Sequence, residues 1–362
     1  MSGLLFVLPV GGGSGGAHSV MQEADAMWRL GVSAFIASNT DNADRLRRGY
    51  RDLDTIHRHV HAYANADELG KIVDTLAPDA VIATTNQSVH VLAEAIRADK
   101  SRSKVRTAYY IQDYEPLFYE KDSKDWLTAH ASFGLIPGMV HFAKTQWLQE
   151  IVQKTHGVAV DKVEPSIDHA VYYPYLPFRL RSNEPIAITA MLRPGTPRRA
   201  PRRTMRILNR LAHEFGDRIK CTSFGCPAAE LEAYSLQPRG VTHLGTLRRD
   251  EVGDLLRATD LFLDLSDYQA FGRTAIEAMS CGAVSVVPAH GGSFEFAKDC
   301  QNSFVVDTRD DEDIMEAIRI FITMPEADRR RMSLAAIDAG FRYTPERAAL
   351  SELRLLANGF QF

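Results

Sequence analysis

The chain is poor in cysteine: four in 362 residues, Cys221, Cys226, Cys281 and Cys300. None stands in a paired metal-type spacing, which argues against a disulfide-stapled scaffold or a zinc ribbon and fits a reducing cytosol. Long hydrophobic runs are missing as well. The apolar stretch at residues 4–10 is only seven residues long and has no basic segment before it, and no later run approaches eighteen apolar residues, so neither an export signal nor a membrane span is expected. There is no excess of positive charge either. Lys and Arg number 42 against 46 Asp and Glu, a formal charge of −4, so no global field draws the protein to nucleic acid and any anion must be held locally. No repeat of 20–50 residues is visible. Hydrophobic residues make up 45% and charged residues 24%, which excludes a disordered chain and is enough for two domains.

What is there is an alternation. Short β-rich runs at residues 4–9, 33–37, 55–61, 80–84 and 107–112 are separated by helical patterns at 17–30, 67–76, 89–97 and 145–156, the signature of a parallel sheet covered on both faces. Three prolines in the unperiodic text of residues 172–185 favour an extended connection, and the domain boundary is expected there. A second alternation follows: strands at 186–191, 219–224, 241–244, 261–265 and 284–288, helices at 205–215, 227–235, 250–259 and 274–281, then amphipathic helices at 310–323 and 325–340. The expected fold is α/β, two Rossmann-like doubly wound domains, residues 1–175 and 184–341.

Between the first strand and first helix lies a glycine loop with Gly11, Gly12, Gly13, Gly15 and Gly16. It matches the dinucleotide pattern Gly-x-Gly-x-x-Gly, yet the second strand ends in Asn39 where a ribose-binding acid belongs. The physical content is narrower: without side chains, backbone N–H groups at a helix N-terminus approach a polar or anionic ligand closely. His18 and His90 follow strand ends as candidate ligand contacts, and Asp113 stands where it can face an acceptor hydroxyl. The aromatics Tyr109, Tyr110, Tyr114, Phe118 and Tyr119 suit sugar stacking, with core packing an equal reading for the first two. In the second half, seven arginines and no acid occur from Arg193 to Arg210. Their forks suit phosphate oxygens, although Arg202, Arg203 and Arg206 read more simply as a solvated face. Glu277 stands near a helix start after a strand end, where a carboxylate can accept both hydroxyls of a ribose.

The run Gln269-Ala-Phe271-Gly272-x4-Glu277-Ala278-Met279-x-x-Gly282 and the later Gly291-Gly292-x-x-Glu295 resemble the nucleotide-sugar site of glycosyltransferase family 4, whose usual text is E-G-F-G-x4-E-A-M-A-x-G. Asp168 and Tyr173 resemble that family's interdomain passage, and Gln112-Asp113-Tyr114-Glu115-Pro116 resembles a motif of its rhamnosyltransferases of bacterial surface glycans. The resemblance implies a GT-B fold with the two domains facing across a cleft, and a last helix at about 342–362 returning to the first domain.

It further implies a retaining transferase that uses no metal and moves a sugar, L-rhamnose from dTDP-rhamnose before a UDP- or GDP-hexose, to a glycan or lipid-linked acceptor in polysaccharide biosynthesis. By resemblance Arg193, with Arg198 or Arg199 in place of a lysine, binds the donor diphosphate. Gln269 stands where a glutamate contacts the donor sugar. Phe271, Gly272 and Glu277 hold the nucleoside, and Gln112 takes the place of a histidine on the acceptor side. The setting implied is cytoplasmic, with peripheral attachment to the inner face of the membrane left open. Two alternatives stay open: a catalytically weak sugar-nucleotide-binding subunit, on the strength of Gln112 and Gln269, and an NAD-dependent oxidoreductase, which leaves Arg193 and Glu277 without a role.

Overall fold

A computed structural model describes residues 3–175 and 185–359, and the chain divides into two compact units. The first runs to Ser166 and resumes at Tyr343; the second is Ile167–Arg342. Among the described residues the first unit has seven strands: β1 (Leu4–Val7), β2 (Ala34–Asn39), β3 (Val60–Tyr63), β4 (Ala80–Ala83), β5 (Thr107–Ile111), β6 (Val140–Ala143) and β7 (Asp161–Lys162). They pair in parallel in the order β3-β2-β1-β4-β5-β6-β7. Helices α1 (Gly15–Arg29), α2 (Thr40–Gly49), α3 (Ala66–Leu76), α4 (Asn86–Ala98), α5 (Lys124–Ala131) and α6 (Gln146–His156) connect them. β1 is apolar throughout because it is central and covered on both faces. It registers Leu4 against Ala34 on one side and Ala80 on the other. Strand order reverses between β1 and β4, and that reversal opens a crevice at their carboxyl ends.

The second unit has six parallel strands among the described residues: β8 (Ile186–Met191), β9 (Ile219–Phe224), β10 (Val241–His243), β11 (Leu261–Leu263), β12 (Val284–Pro288) and β13 (Ser303–Val306). Their order is β10-β9-β8-β11-β12-β13, so the reversal falls between β8 and β11. Its helices among the described residues are α7 (Pro201–Phe215), α8 (Ala228–Ala233), α9 (Arg249–Arg257), α10 (Arg273–Ser280), α11 (Asp311–Thr323) and α12 (Glu326–Gly340). Ile207, Leu208 and Leu211 of α7 and Ile314, Ile318 and Phe321 of α11 recur at helical spacing and close the core over Ile188, Leu263 and Val286.

The last helix, α13 (Pro345–Gly359), packs along α1. Leu356 and Ala349 enter the first unit's core, and Glu346 pairs with Arg29 at 2.8 Å. Leu350, Leu353 and Leu356 recur at three-residue spacing and would be expected to form the buried face, but Leu350 is exposed and the buried stripe is Ala349, Leu356 and the half-covered Leu353. Residues 360–362 of this expected helix lie outside the described residues.

Three features differ from the sequence reading. The expected strand at residues 55–61 begins only at Val60, because Asp25 accepts hydrogen bonds from the backbone N–H groups of Thr55 and Ile56 at 3.2 and 3.0 Å and binds that stretch to α1. The helices α2 and α5 and the strands β6 and β13 had no expectation; α2 buries only Ala43 and Leu46, too few to mark a period. The first unit also ends at Ser166 rather than residue 175. Asp168 pairs with Arg249 of α9, and the Arg257 guanidinium lies 4.3 Å over the Tyr173 ring, so residues 167–175 belong with the second core. Most of the expected extended connection, residues 176–184, lies outside the described residues.

Candidate functional site

In the second unit the loops leaving β8, β11 and β12 are tied together at the reversal of strand order. The turn after β8 carries Arg193, which is exposed, and Arg198 and Arg199, which are half-buried. Thr196 N–H donates to the Arg193 carbonyl at 3.0 Å to close that turn. Asp267 N–H donates to the Arg198 carbonyl at 2.8 Å, and the Arg198 guanidinium lies 5.3 Å from the Tyr268 ring, so the arginine turn and the β11 loop are held side by side. The β11 loop in turn bridges Gln269 to Gly291 of the β12 loop, with Gly292 N–H donating to the Gln269 carbonyl at 2.6 Å. Gly291 has φ 102°, and a Cβ there would run into the Gln269 backbone, so this approach needs glycine.

The outer arginines are satisfied by acids from other elements. Arg203 donates to Asp267 at 2.8 Å and to the Leu265 carbonyl at 3.0 Å. Arg206 makes a two-pronged pair with Asp311, and Arg210 meets Glu312. These three belong to the fabric of the unit, whereas Arg193, Arg198 and Arg199 lie on the turn that meets the β11 loop.

Gly272 caps α10 with φ 93°. A Cβ there would lie 3.1 Å from Phe296 Cζ and 3.2 Å from Ser293 Oγ. The Phe271 ring is buried edge-on to Phe296, centroids 5.4 Å apart, and so packs the loop. Gln269 is buried too; its Nε2 donates to Asp264 Oδ2 at 2.6 Å and to Ser266 Oγ at 3.0 Å. Glu277 lies one turn into α10, buried, accepting from Arg273 Nε at 2.7 Å. Burial pushes its carboxyl up, Arg273 and Arg249 pull it down, and Asp168 opposes them. Glu277 is therefore the centre of an ion cluster, with Arg273 as its fixed partner. Sequence reasoning passed over Arg273 and Asp264; the four-residue spacing of Arg273 and Glu277, which puts both on one helix face, was the available sign for the first, while Asp264 meets Gln269 across a loop without such a period.

In the first unit Gly12 and Gly13 take φ of 91° and 72°, and Gly15 and Gly16 open α1, whose N-cap Ser14 accepts from Ala17 N–H at 3.2 Å. Gly16 passes so close to Gln112 that a Cβ would lie 3.3 Å from Gln112 Cβ and Cγ. Gln112 Oε1 accepts from Lys144 Nζ at 2.7 Å, and the same ammonium donates to Ser19 Oγ at 2.7 Å. His18 Nδ1 is 2.8 Å from Tyr50 Oη. His90 Nε2 lies 2.9 Å from the Thr128 carbonyl, a structural tie to α5. Asp113 Oδ1 accepts from Tyr114 N–H at 2.9 Å.

Tyr109, Tyr110 and Tyr114 are buried, Tyr114 Oη lying 3.0 Å from His156 Nε2, while Phe118 is exposed. Core packing is thus the reading for the tyrosines. Glu115, buried beside them, accepts from Asn86 N–H at the start of α4 and from the Asn86 amide; burial pushes its carboxyl up to about 7. Beneath Lys144 lie Glu23, Tyr110 and Glu352, a buried polar cluster assembled from α1, β5 and α13. Nothing local in the sequence marks Lys144, which follows directly on an apolar strand.

Residues 228–338 match the family of glycosyl transferases group 1. The matched segment covers 111 of the 362 residues. It contains Gln269, Gly272, Arg273 and Glu277 and forms part of the second unit. Over 179 residues, 49% of the chain, the sequence is 30% identical to the O-antigen biosynthesis protein RfbC of Myxococcus xanthus, and over 74 residues it is 39% identical to mannosylfructose-phosphate synthase of Agrobacterium fabrum. The matches span only 13% and 16% of those proteins.

Among solved structures, HepE of Anabaena in complex with UDP and glucose superposes with a TM-score of 0.78 at 18% identity, covering 98% of this chain and 99% of that one. Sucrose-phosphate synthase of Thermosynechococcus elongatus gives 0.75 at 14% identity, covering 99% of each chain. The fold is therefore GT-B, α/β with two parallel sheets. Among the described residues no helix is long and apolar enough to cross a membrane.

Proposed function

We propose that the protein transfers a sugar from a nucleoside diphosphate sugar to a hydroxyl of a glycan or lipid-linked acceptor, retaining anomeric configuration. The observation that carries this reading is the junction, within the second unit, of the arginine turn after β8 with the β11 loop that leads into α10. Arg193, Arg198 and Arg199 are positioned to neutralise a diphosphate, whose charge grows as the glycosidic bond breaks; fixed cations at developing charge are worth on the order of 3 kcal/mol each to a transition state. Because arginine supplies this charge, the reading requires no resident metal. Glu277, held by Arg273, is the carboxylate for ribose hydroxyls, and the first unit's glycine loop with Gln112 and Asp113 serves the acceptor.

For the donor we favour dTDP-L-rhamnose, ahead of a UDP- or GDP-hexose. The support is the resemblance of residues 112–116 to rhamnosyltransferases and the likeness of half the chain to a protein named for O-antigen biosynthesis. The UDP bound to HepE keeps UDP-sugars in contention. A cytoplasmic setting, with or without contact to the inner face of the membrane, completes the proposal.

A second reading, a subunit that binds sugar nucleotides without turning them over, is favoured by one observation: both amides at the expected polar positions, Gln112 and Gln269, already bond protein groups. Titration of the purified protein with dTDP, UDP and GDP, followed by hydrolysis or transfer from dTDP-rhamnose, UDP-glucose and GDP-mannose in the presence of EDTA, decides. Turnover insensitive to EDTA with release of the nucleoside diphosphate supports transfer. Tight binding without turnover favours the subunit, and absence of binding to all three nucleotides removes both.

A further inference from the structure

The buried carboxylate of Asp264 has no place in the reading above. It sits just past β11, where its own N–H still donates to the Val286 carbonyl at 2.9 Å. Its Oδ1 accepts from Ser266 N–H at 3.3 Å and Ser266 Oγ at 2.6 Å, and its Oδ2 accepts from Gln269 Nε2 at 2.6 Å. Ser266 Oγ, having given its proton to Asp264, accepts a second N–H of the same Gln269 amide at 3.0 Å. The loop itself is pinned: Thr308 Oγ1 donates to the Ser266 carbonyl at 2.7 Å, and Gln269 is bridged to Gly291.

These contacts settle which way the amide faces. A carboxylate oxygen receives N–H and offers none, so the nitrogen of Gln269 must face Asp264 and the carbonyl oxygen must face away. The residue type follows from the same pair. A glutamate at position 269, the type found in the family this segment resembles, would set one buried carboxylate against another, with a like-charge penalty. Glutamine avoids that and still offers an oxygen.

We propose that Asp264 is a positioning residue for donor-sugar selection: by holding the Gln269 amide nitrogen, it fixes Gln269 Oε1 as the hydrogen-bond acceptor presented to a hydroxyl of the transferred sugar. The inference rests on the transferase reading and adds a stated polarity to it. The sugar must bring a donating hydroxyl to this point, and Gln269 contributes no charge there.

Amide inversion tests it. In Asp264→Asn the new amide keeps its oxygen on Ser266 and turns its nitrogen to residue 269, so the Gln269 amide must flip and present N–H in place of an acceptor. We expect kcat/KM for the sugar donors UDP-glucose and dTDP-rhamnose to fall about tenfold, the order expected for one hydroxyl contact, with affinity for UDP and dTDP unchanged. In Asp264→Asn with Gln269→Glu, the asparagine nitrogen again meets an oxygen, the second glutamate oxygen is presented, and donor use recovers to within about threefold of wild type on the same grounds. Gln269→Glu alone brings the carboxylates together and is the least stable of the set.

Nucleotide affinity reports the integrity of the second unit in every variant. Unchanged donor kcat/KM in Asp264→Asn, or equal losses in the single and double variants, overturns the inference while leaving the transferase reading intact. A wild-type protein that turns over none of UDP-glucose, dTDP-rhamnose and GDP-mannose overturns both.

Discussion

At the scale of single residues the second unit's chemistry depends on buried charges that have been given partners. Glu277 is held by Arg273, and removing one member of a buried pair leaves the other uncompensated, at a cost of about 3–5 kcal/mol. Arg273→Met should therefore lower the thermal midpoint of the second unit sharply, and Glu277→Gln in that background should recover most of the loss; calorimetry on the single and double variants measures the coupling. Glu115 presents the opposite situation, a buried carboxyl with only amide donors, raised to about 7. A group whose folded value is raised contributes its stability below its unfolded value and loses it as pH rises through the folded value. The first unit should accordingly lose on the order of 3 kcal/mol between about pH 4.5 and 7 on account of this group. Denaturation profiles of wild type and Glu115→Gln should diverge over that window, and parallel profiles would dismiss the assignment.

Among these residues legibility was uneven. Glu277, Gly272 and the arginine turn could be read because motif residues keep short, fixed spacings after a strand. Arg273 stood inside the same motif unnoticed, and Asp264, Lys144 and Glu352 could not be read at all, because their partners are chosen by packing.

At the scale of elements, α13 shows how docking can carry a proton. Glu352 is fully buried on the face toward α1, beside Glu23, Tyr110 and Lys144. Glu23 accepts from Ser166 and, at 3.0 Å, from Tyr110. Burial and the Glu23 carboxylate push Glu352 well up, against the pull of Lys144. Glu352 is thus the member that keeps its proton when α13 docks. The sign follows as for Glu115: docking is favoured in acid and weakens as pH rises toward the folded value. Amide exchange along Pro345–Gly359 should accelerate more steeply with pH than intrinsic chemistry requires. Glu352→Gln should remove that excess, and an unchanged excess in the variant would refute it. Amphipathic spacing made α13 foreseeable as a helix, whereas its buried stripe differed: Ala348 and Ala349 are buried and Leu350 is exposed.

At the scale of the whole molecule, each unit has its own sheet and its own apolar core. A nucleotide bound at the arginine turn should stabilise the unit that holds it. At a hundred times its dissociation constant, UDP or dTDP should add about 2.7 kcal/mol. Hydrogen exchange should show the new protection at residues 191–199 and 264–295, with little change in α1 or α13. Protection centred on the glycine loop of the first unit instead would move the nucleotide site there.

The sequence by itself determined the fold class and the strand-end loops on which the candidate residues lie. Alternating apolar strands and amphipathic helices encode parallel sheets locally, and glycines at strand ends mark where backbone must come close to something. Tertiary structure alone decided which acid meets which base and which way each amide faces. Asp25 reaches across to Thr55 and Ile56, Lys144 finds Ser19 and Gln112, and α13 carries Glu352 to Glu23 from the other end of the chain. The reason is physical: periodicity is a property of neighbours in sequence, while the pairing of a buried polar group is set by whichever element the core brings against it, and a buried group left unpaired is costly enough to make that choice matter.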